Sequence, residues 1–164
     1  MAPHANFTEE FPLGRRFGLL MRMYFGALTK KLEELDIDRH YSILIILENK
    51  EAACSQQDVA NLLRIDKASM VRIIDYLVKK KYIKRMMNPS DRREHILCLT
   101  EKARKTLPRI HRAVGELNSA AFSGLSKSNQ KGFYQSLDLL ARNLGEEPAN
   151  TIVVDFKKVK TGRK

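Results

Sequence analysis

The sequence has few cysteines and no long apolar run, and each absence narrows the class of protein. Only Cys54 and Cys98 occur among 164 residues, too few for a disulfide scaffold, which favours an intracellular setting. No apolar run approaches the roughly 20 residues that a membrane-spanning helix needs. The first ten residues also lack the basic and apolar segments of a secretory signal. These absences predict a cytoplasmic protein with no membrane partner.

Motifs for catalysis and metal binding are missing as well. The sequence contains no glycine-rich phosphate loop, no nucleophile elbow and no convincing acid pair. The four histidines are scattered and form no His-x-x-x-His pair, the spacing that favours a zinc site on a helix. They are His4, His40, His95 and His111. We therefore expect no enzymatic activity, no bound metal and no cofactor.

Negative charge is in the minority. The chain has 30 Lys and Arg residues against 19 Asp and Glu residues, which gives a formal net charge of +11 and a pI near 9.8. A surplus of this size points to a polyanionic partner, either nucleic acid or an anionic membrane surface.

Two short helices joined by a brief turn are predicted between Ser55 and Lys80. Ser55 and Asp58 form a helix-start pattern, and Asp66 suits the cap of the second helix. The second helix has an apolar stripe made of Met70, Ile73, Ile74 and Leu77. Its other side carries Lys67, Ser69 and Arg72. This is a helix-turn-helix whose polar side suits phosphates and base edges, although a solvated helix face is the alternative.

The stretch from Ile83 to Thr100 is predicted to form two short strands joined by a tight basic loop. Residues 88–91 are dense in turn formers, and the residues from Ile96 onward alternate with the period of a strand. Arg92 and Arg93 stand at the tip, where guanidinium groups can enter a DNA minor groove. Asp91 can hold one of them in place. A solvated basic turn is the alternative, but a helix-turn-helix followed by a basic hairpin indicates a winged helix.

One long and one short helix are predicted on the amino-terminal side of this unit. The first runs from a cap at Thr8 to about Glu34, with Pro12 in its first turn. A shorter helix follows over residues 39–49.

Two more helices are predicted on the carboxyl-terminal side. Thr100 caps the first, and Pro108 should kink or interrupt it. Ser126 starts the last helix, whose inward residues are predicted to be Phe133, Leu137, Leu140 and Leu144.

This order of parts resembles the MarR family of bacterial transcriptional regulators over nearly all of residues 10–145. The most specific matches are Asp66–Leu77, Asn88–Arg93 and Leu97–Lys102. The family's wing motif Asp-x-Arg falls on Asp91 and Arg93. The resemblance implies a fold that is mainly α with a small β-hairpin wing, in which a winged helix-turn-helix DNA-binding lobe is flanked by long dimerisation helices.

The same resemblance implies a division of the chain. Residues 8–145 form a single MarR-like domain, with the DNA-binding lobe at 36–100 and the helical dimerisation region at 8–35 and 101–145. Outside the resemblance, the composition of residues 146–164 predicts a basic, flexible tail.

The helix that begins at Lys67 is the recognition helix by this resemblance. The predicted DNA-binding residues are Lys67, Ala68, Ser69, Val71, Arg72, Asp91, Arg92 and Arg93. The family usually has glycine at three positions that are filled here by Arg64, Lys81 and Ala103. Where the backbone φ is positive, a residue with a side chain lowers the stability of the fold by on the order of 1 kcal/mol relative to glycine.

Members of this family often respond to phenolic ligands, oxidants or metals. An apolar crevice near Met21, Tyr24 and His40 could take an aromatic acid, unless these residues only fill the core. Cys54 and Cys98 lie on segments that can pair side by side, so they are either redox sensors or two reduced, buried thiols.

We therefore expect a homodimeric, sequence-specific regulator that binds double-stranded DNA, with its recognition helix in the major groove and its wing in the minor groove. A small aromatic or phenolic effector is its expected ligand. The alternative is a nonspecific architectural or RNA-binding basic protein.

Overall fold

The computed structural model describes residues 12–37, 39–50, 54–88 and 95–147. Its elements, in chain order, are α1 (Leu13–Lys31), α2 (Tyr41–Asn49), α3 (Gln56–Leu63), α4 (Lys67–Lys79), β1 (Ile83–Met87), β2 (His95–Leu99), α5 (Glu101–Ala121) and α6 (Lys127–Glu146). The prediction of a mainly α fold with a small hairpin is confirmed. No helix within the described ranges is long and apolar enough to span a membrane.

The first helix is shorter than predicted. It begins after Pro12, which is its N-cap, and the predicted cap Thr8 lies outside the described residues. It ends at Lys31 rather than near Glu34, because the chain tightens into turns from Leu32 onward.

One apolar core joins the first five helices to the base of the hairpin. Its largest fully buried side chains are Leu28, Ile37, Ile43, Leu44, Val59, Met70, Ile74, Leu77, Ile83, Leu107 and Ile110. Burial of a side chain of this size contributes about 1.5–3 kcal/mol. Three of the four residues predicted for the stripe of α4 belong to this set, whereas Ile73 is only partly buried. The core therefore holds α4 against α3 and β1.

The two caps predicted for the helix-turn-helix are both present. The Ser55 hydroxyl accepts a hydrogen bond from the Asp58 backbone N–H at 3.2 Å, and the Asp58 carboxylate accepts one from the Ser55 N–H at 2.8 Å. This reciprocal pair is a capping box. At α4, the Asp66 carboxylate accepts the Ser69 N–H at 2.9 Å. These short-range bonds fix where each helix begins.

The hairpin consists of β1 and β2 in antiparallel register, from the pair Ile83–Leu99 to the pair Met87–His95. A further bridge between Ser55 and Ile96 attaches it to the start of α3. Both predicted strands are thus confirmed. The tip at residues 89–94 lies outside the described residues, and with it Asp91, Arg92 and Arg93.

Of the kink or interruption predicted at Pro108, the interruption is wrong, because α5 runs continuously from Glu101 to Ala121. Proline lacks an N–H and leaves one carbonyl of the preceding turn without its intrahelical donor. On either side of it, Leu107 and Ile110 are fully buried, and this packing keeps the helix continuous. Thr100 caps α5, as predicted. Ala103, one of the three positions where the family usually has glycine, lies buried within α5 and not at a turn.

The last helix is the one element without a buried residue among those described. Its N-cap is Ser126, as predicted. However, Phe133 and Leu144 are 43% and 58% exposed, so the prediction that they point inward is wrong for the single chain. Leu137 and Leu140 are half-buried. The apolar stripe of α6 therefore remains largely uncovered.

Candidate nucleic-acid interface

The amino-terminal half of α4 projects from the molecule. Its buried face, formed by Met70, Ile74 and Leu77, packs into the core. The opposite face brings together five of the eight residues predicted to contact DNA: Lys67, Ala68, Val71 and Arg72 are exposed, and Ser69 is half-buried. One helix thus offers a row of donors and small apolar groups on its outer side.

The cap and the outer face of α4 share hydrogen bonds. Arg72 Nη2 donates to the Ser69 hydroxyl oxygen at 3.1 Å, while the Ser69 N–H is bound by Asp66. The bond from the Ser69 backbone, followed by that from its side chain, lowers the pKa of the Asp66 carboxyl. Because a guanidinium has five N–H donors, Arg72 keeps donors for a further ligand while its position is set by Ser69.

Arg85 connects the hairpin to both helices of the helix-turn-helix. From β1, its Nη2 atom donates to Asp75 of α4 at 2.6 Å and lies 3.4 Å from Gln56 of α3. Sequence reasoning missed this residue, because strand periodicity places it on a face but does not identify its partners. The pair is partly exposed, so its contribution to stability is about 0–1 kcal/mol. Its main effect is on geometry, since it links the wing to the recognition helix.

The carboxyl-terminal end of α4 is held by the segment between α1 and α2. Lys80 forms an ion pair with Asp36, and the Tyr76 hydroxyl lies 3.4 Å from the Asp36 carbonyl oxygen. The hydrogen bond from Lys80 lowers the pKa of the Asp36 carboxyl. From α5, Lys102 donates to the Lys80 carbonyl at 2.9 Å. The carboxyl-terminal end of α4 is therefore tied to neighbouring elements, whereas its amino-terminal half projects outward.

The residues predicted to bind an effector contact different helices. The Tyr24 hydroxyl donates to Asn118 of α5 at 2.7 Å, and burial, followed by the nearby Tyr134, raises its pKa. The His40 ring packs edge-on against Tyr76 of α4, with centroids 5.5 Å apart. Met21 is half-buried on α1.

An open cavity of about 430 Å³ lies at the end of α1. It is lined by Thr29, Leu32, Glu33, Glu34, Leu35, Asp36 and Tyr76. The predicted effector residues Met21, Tyr24 and His40 are not among these lining residues.

The two cysteines lie on segments that pair, as predicted. The Cys54 carbonyl accepts the Leu97 N–H at 2.8 Å, and burial raises the pKa of the Cys54 thiol. Neighbouring residues of a strand face opposite sides. Since Ser55 pairs with Ile96, Cys54 shares the buried side with Leu97, whereas Cys98 faces the other side. The two thiols therefore do not face each other.

Comparisons with known proteins agree with this architecture. The MarR family model matches residues 38–95, which reach from just before α2 to the start of β2. The HTH-type transcriptional regulator BilQ of Clostridium symbiosum is 29% identical over 98 residues, which are 60% of this chain and 68% of BilQ.

Two solved structures show the same fold over most of the chain. The transcriptional regulator SlyA superposes with a TM-score of 0.75 at 25% identity, over 82% of this chain and 94% of SlyA. The transcriptional repressor CouR, whose structure was solved bound to a 23-mer DNA duplex, gives a TM-score of 0.72 at 26% identity, over 80% of this chain and 93% of CouR. These relatives are named as transcriptional regulators rather than enzymes. Residues 38–95 therefore match the MarR family model, and the chain has the winged helix-turn-helix fold of the transcriptional regulators SlyA and CouR.

Proposed function

We propose that this protein is a homodimeric, sequence-specific DNA-binding transcriptional regulator that acts in the cytoplasm. The observation that carries the proposal is the outer face of α4. A polar amino-terminal half projects into solvent while the opposite face is fixed in the core. A recognition helix needs this combination, because its side chains must reach base edges without disturbing the fold.

The side chains of this face suit the major groove. Arg72 can donate two hydrogen bonds to guanine, and Ser69 can bind several bases. Ala68 and Val71 offer apolar contacts to a thymine methyl group. Lys67, at the start of the helix, is assigned to a phosphate contact in this proposal. The contact between Arg72 and Ser69 supports a fixed reading position for the guanidinium.

The wing is proposed to bind the adjacent minor groove through Asp91, Arg92 and Arg93. Three observations support this assignment: the basic sequence of the tip, the described strands that lead to it, and the link from Arg85 to α4. The repressor CouR was solved with a DNA duplex, which supports DNA as the partner of the shared fold. A narrow minor groove attracts guanidinium groups through its negative potential.

Dimerisation is proposed through α1, α5 and α6. Large apolar side chains on α1 and α6 are exposed in the single chain, namely Leu13, Leu20, Met23, Phe133, Tyr134, Leu139 and Leu144. An apolar surface of this kind marks a contact with another molecule. A second copy is the partner that a regulator with two recognition helices requires.

An aromatic or phenolic effector near Met21, Tyr24 and His40 remains part of the proposal. Tyr24 and His40 each contact a different helix of the regulator. A ligand at these residues would therefore change how α4 sits relative to α1 and α5. Titration of the DNA complex with a benzoic acid series, read as loss of fluorescence anisotropy, tests this part.

The central test is selection of DNA from a random duplex pool, followed by fluorescence anisotropy on the selected duplex and a shuffled duplex. We expect binding to the selected sequence to be at least about 10³-fold tighter. The affinity for both duplexes should fall with rising salt. Equal affinity for the two sequences would support the nonspecific architectural alternative, and preference for single-stranded RNA would support the RNA-binding one.

A further inference from the structure

The turn between α3 and α4 contains an arginine in a backbone conformation that favours glycine. Arg64 has φ 49° and ψ 42° and is the C-cap of α3. A side chain at such a position is strained. Its backbone N–H donates to the last turn of α3, a bond that glycine would form equally well. The local turn therefore does not explain the presence of an arginine.

The Arg64 side chain reaches the carboxyl-terminal end of α6. A methyl group built on Gly145 would lie 3.3 Å from Arg64 Nη2. The Arg64 guanidinium thus lies beside Gly145 in the last turn of α6, where the absence of a side chain leaves room for it.

The end of α6 is an electrostatic partner for this cation. The last carbonyl groups of a helix lack intrahelical donors and carry partial negative charge. The last turn of α6 has no basic residue of its own, and its C-cap Glu147 has an extended backbone. Glu146 and Glu147 add two acidic side chains at this end. Arg64 therefore places a positive charge beside a helix end that has no basic residue in its last turn.

We propose that Arg64 is a positioning residue that holds the helix-turn-helix against the end of α6. In a dimer joined through α6, this contact between Arg64 and α6 fixes the orientation of each DNA-binding lobe. It thereby sets the separation of the two recognition helices and selects one half-site spacing in the operator. The contact itself is a property of the free chain, whereas its effect on spacing rests on the proposed function.

Lys81 offers a matched control for the backbone strain at Arg64. It is the other described residue besides glycine with a positive φ, at 60°, and it follows α4 at the end away from Arg64. Its carbonyl accepts the Thr100 hydroxyl at 2.7 Å, at the base of the hairpin. Lys81→Gly relieves the same kind of strain at that distant site.

The first measurement is hydrogen exchange by mass spectrometry on the full chain without DNA. Arg64→Gly should accelerate exchange at residues 143–147 by about twofold to fivefold, the size expected for a cation at a helix C-terminus. Arg64→Lys should restore most of the protection, and Lys81→Gly should leave this segment unchanged. Unchanged exchange in Arg64→Gly, or equal acceleration in Lys81→Gly, would contradict the proposal that Arg64 stabilises the end of α6.

The second measurement uses the selected duplex with its half-sites moved by one or two base pairs in either direction. The wild-type preference for one spacing should fall about fivefold or more in Arg64→Gly, the size of a typical coupling between two sites, and Arg64→Lys should keep it. An equal loss at all spacings would make Arg64 a phosphate contact and overturn the positioning role. If the wild-type protein shows no sequence preference, the proposed function fails. The exchange experiment still tests the contact between Arg64 and α6, because it uses the protein without DNA.

Discussion

Arg72 and Lys67 lie on the same exposed face of α4, and their substitutions should separate base reading from phosphate binding. Arg72→Ala should cost about 1–3 kcal/mol on the selected duplex and relax its sequence preference, because a bidentate contact to a base is lost. Lys67→Ala should weaken all sequences alike and make the salt slope shallower by about one unit. Anisotropy at several salt concentrations measures both. Equal losses on selected and shuffled DNA for Arg72→Ala would reject its reading role.

Asp91 gives a test in which two physical effects have opposite signs. If Asp91 orients Arg93 in the minor groove, Asp91→Ala should weaken DNA binding although it removes a negative charge from a basic protein. Bulk electrostatics predicts tighter binding instead. Arg93→Ala should weaken binding strongly. Circular dichroism melting is the folding control. Tighter binding by a folded Asp91→Ala protein would mean that Asp91 does not orient the wing and that the tip is a nonspecific charged surface.

Lys81 is expected to store strain that glycine would release. Lys81→Gly should raise the free energy of unfolding by about 0.5–1 kcal/mol, because relief of the left-handed backbone exceeds the entropy that glycine adds to the unfolded chain. Lys79→Gly, within the last turn of α4, should lower it by about 1 kcal/mol. Urea unfolding measures both values. A loss of stability in Lys81→Gly would mean that the lysine side chain contributes more than the strain costs.

At the scale of the element, the capping box of α3 makes stability depend on acid. Ser55→Ala should cost about 1 kcal/mol at pH 7. The bonds from the Ser55 backbone and hydroxyl lower the pKa of Asp58 from its ordinary value of 3.8. The contribution of Asp58 is therefore complete above that value and is lost as the pH falls through the lowered pKa.

The matched control is Ser126→Ala at α6, where the serine caps a helix that has no acidic residue in its first turn. Urea unfolding across pH 7 to pH 3 should show that the difference between wild type and Ser55→Ala shrinks with acid. The difference for Ser126→Ala should stay constant. If the difference in the free energy of unfolding stayed constant for both variants, Asp58 would not be the cause of the acid dependence.

The elements were largely predictable because their signals are local. The caps at Ser55, Asp66 and Thr100 depend on bonds across three residues, and all three are visible in a short stretch of sequence. The continuity of α5 through Pro108 was not predictable in the same way. It depends on the burial of Leu107 and Ile110 by other elements, and a local rule about proline contains no information on that packing. The contacts of Arg85 and Arg64 escaped prediction for the same reason, since their partners lie on other elements.

At the scale of the whole molecule, dimerisation should depend on the uncovered face of α6. Light scattering at micromolar concentration should give about twice the chain mass of 18.9 kDa. Leu139→Glu should shift the protein toward a monomer, because a charge at a buried interface lacks a partner. Leu62→Glu is the control, since Leu62 is similarly exposed, at 59% against 50%, but lies on α3. A Leu139→Glu protein that remains dimeric would move the interface elsewhere.

The sequence indicated the family and the order of parts, but it could not tell a core residue from an interface residue. Phe133 and Leu144 have the spacing of an inward stripe, and the pattern is the same whether the covering surface belongs to the same chain or to another. Only the exposure of these side chains distinguishes the two cases.

A helix without a buried residue of its own also bears on the life of a newly made chain. During synthesis α6 follows every other described element, and an amphipathic helix whose apolar face is largely uncovered is only marginally stable in water. Under the proposed dimer, it would fray until a second copy arrives, and frayed segments are where proteases cut first. Unpaired protomers would then be degraded while dimers persist. Most of this regulator in the cell would therefore be in the dimeric form that binds an operator.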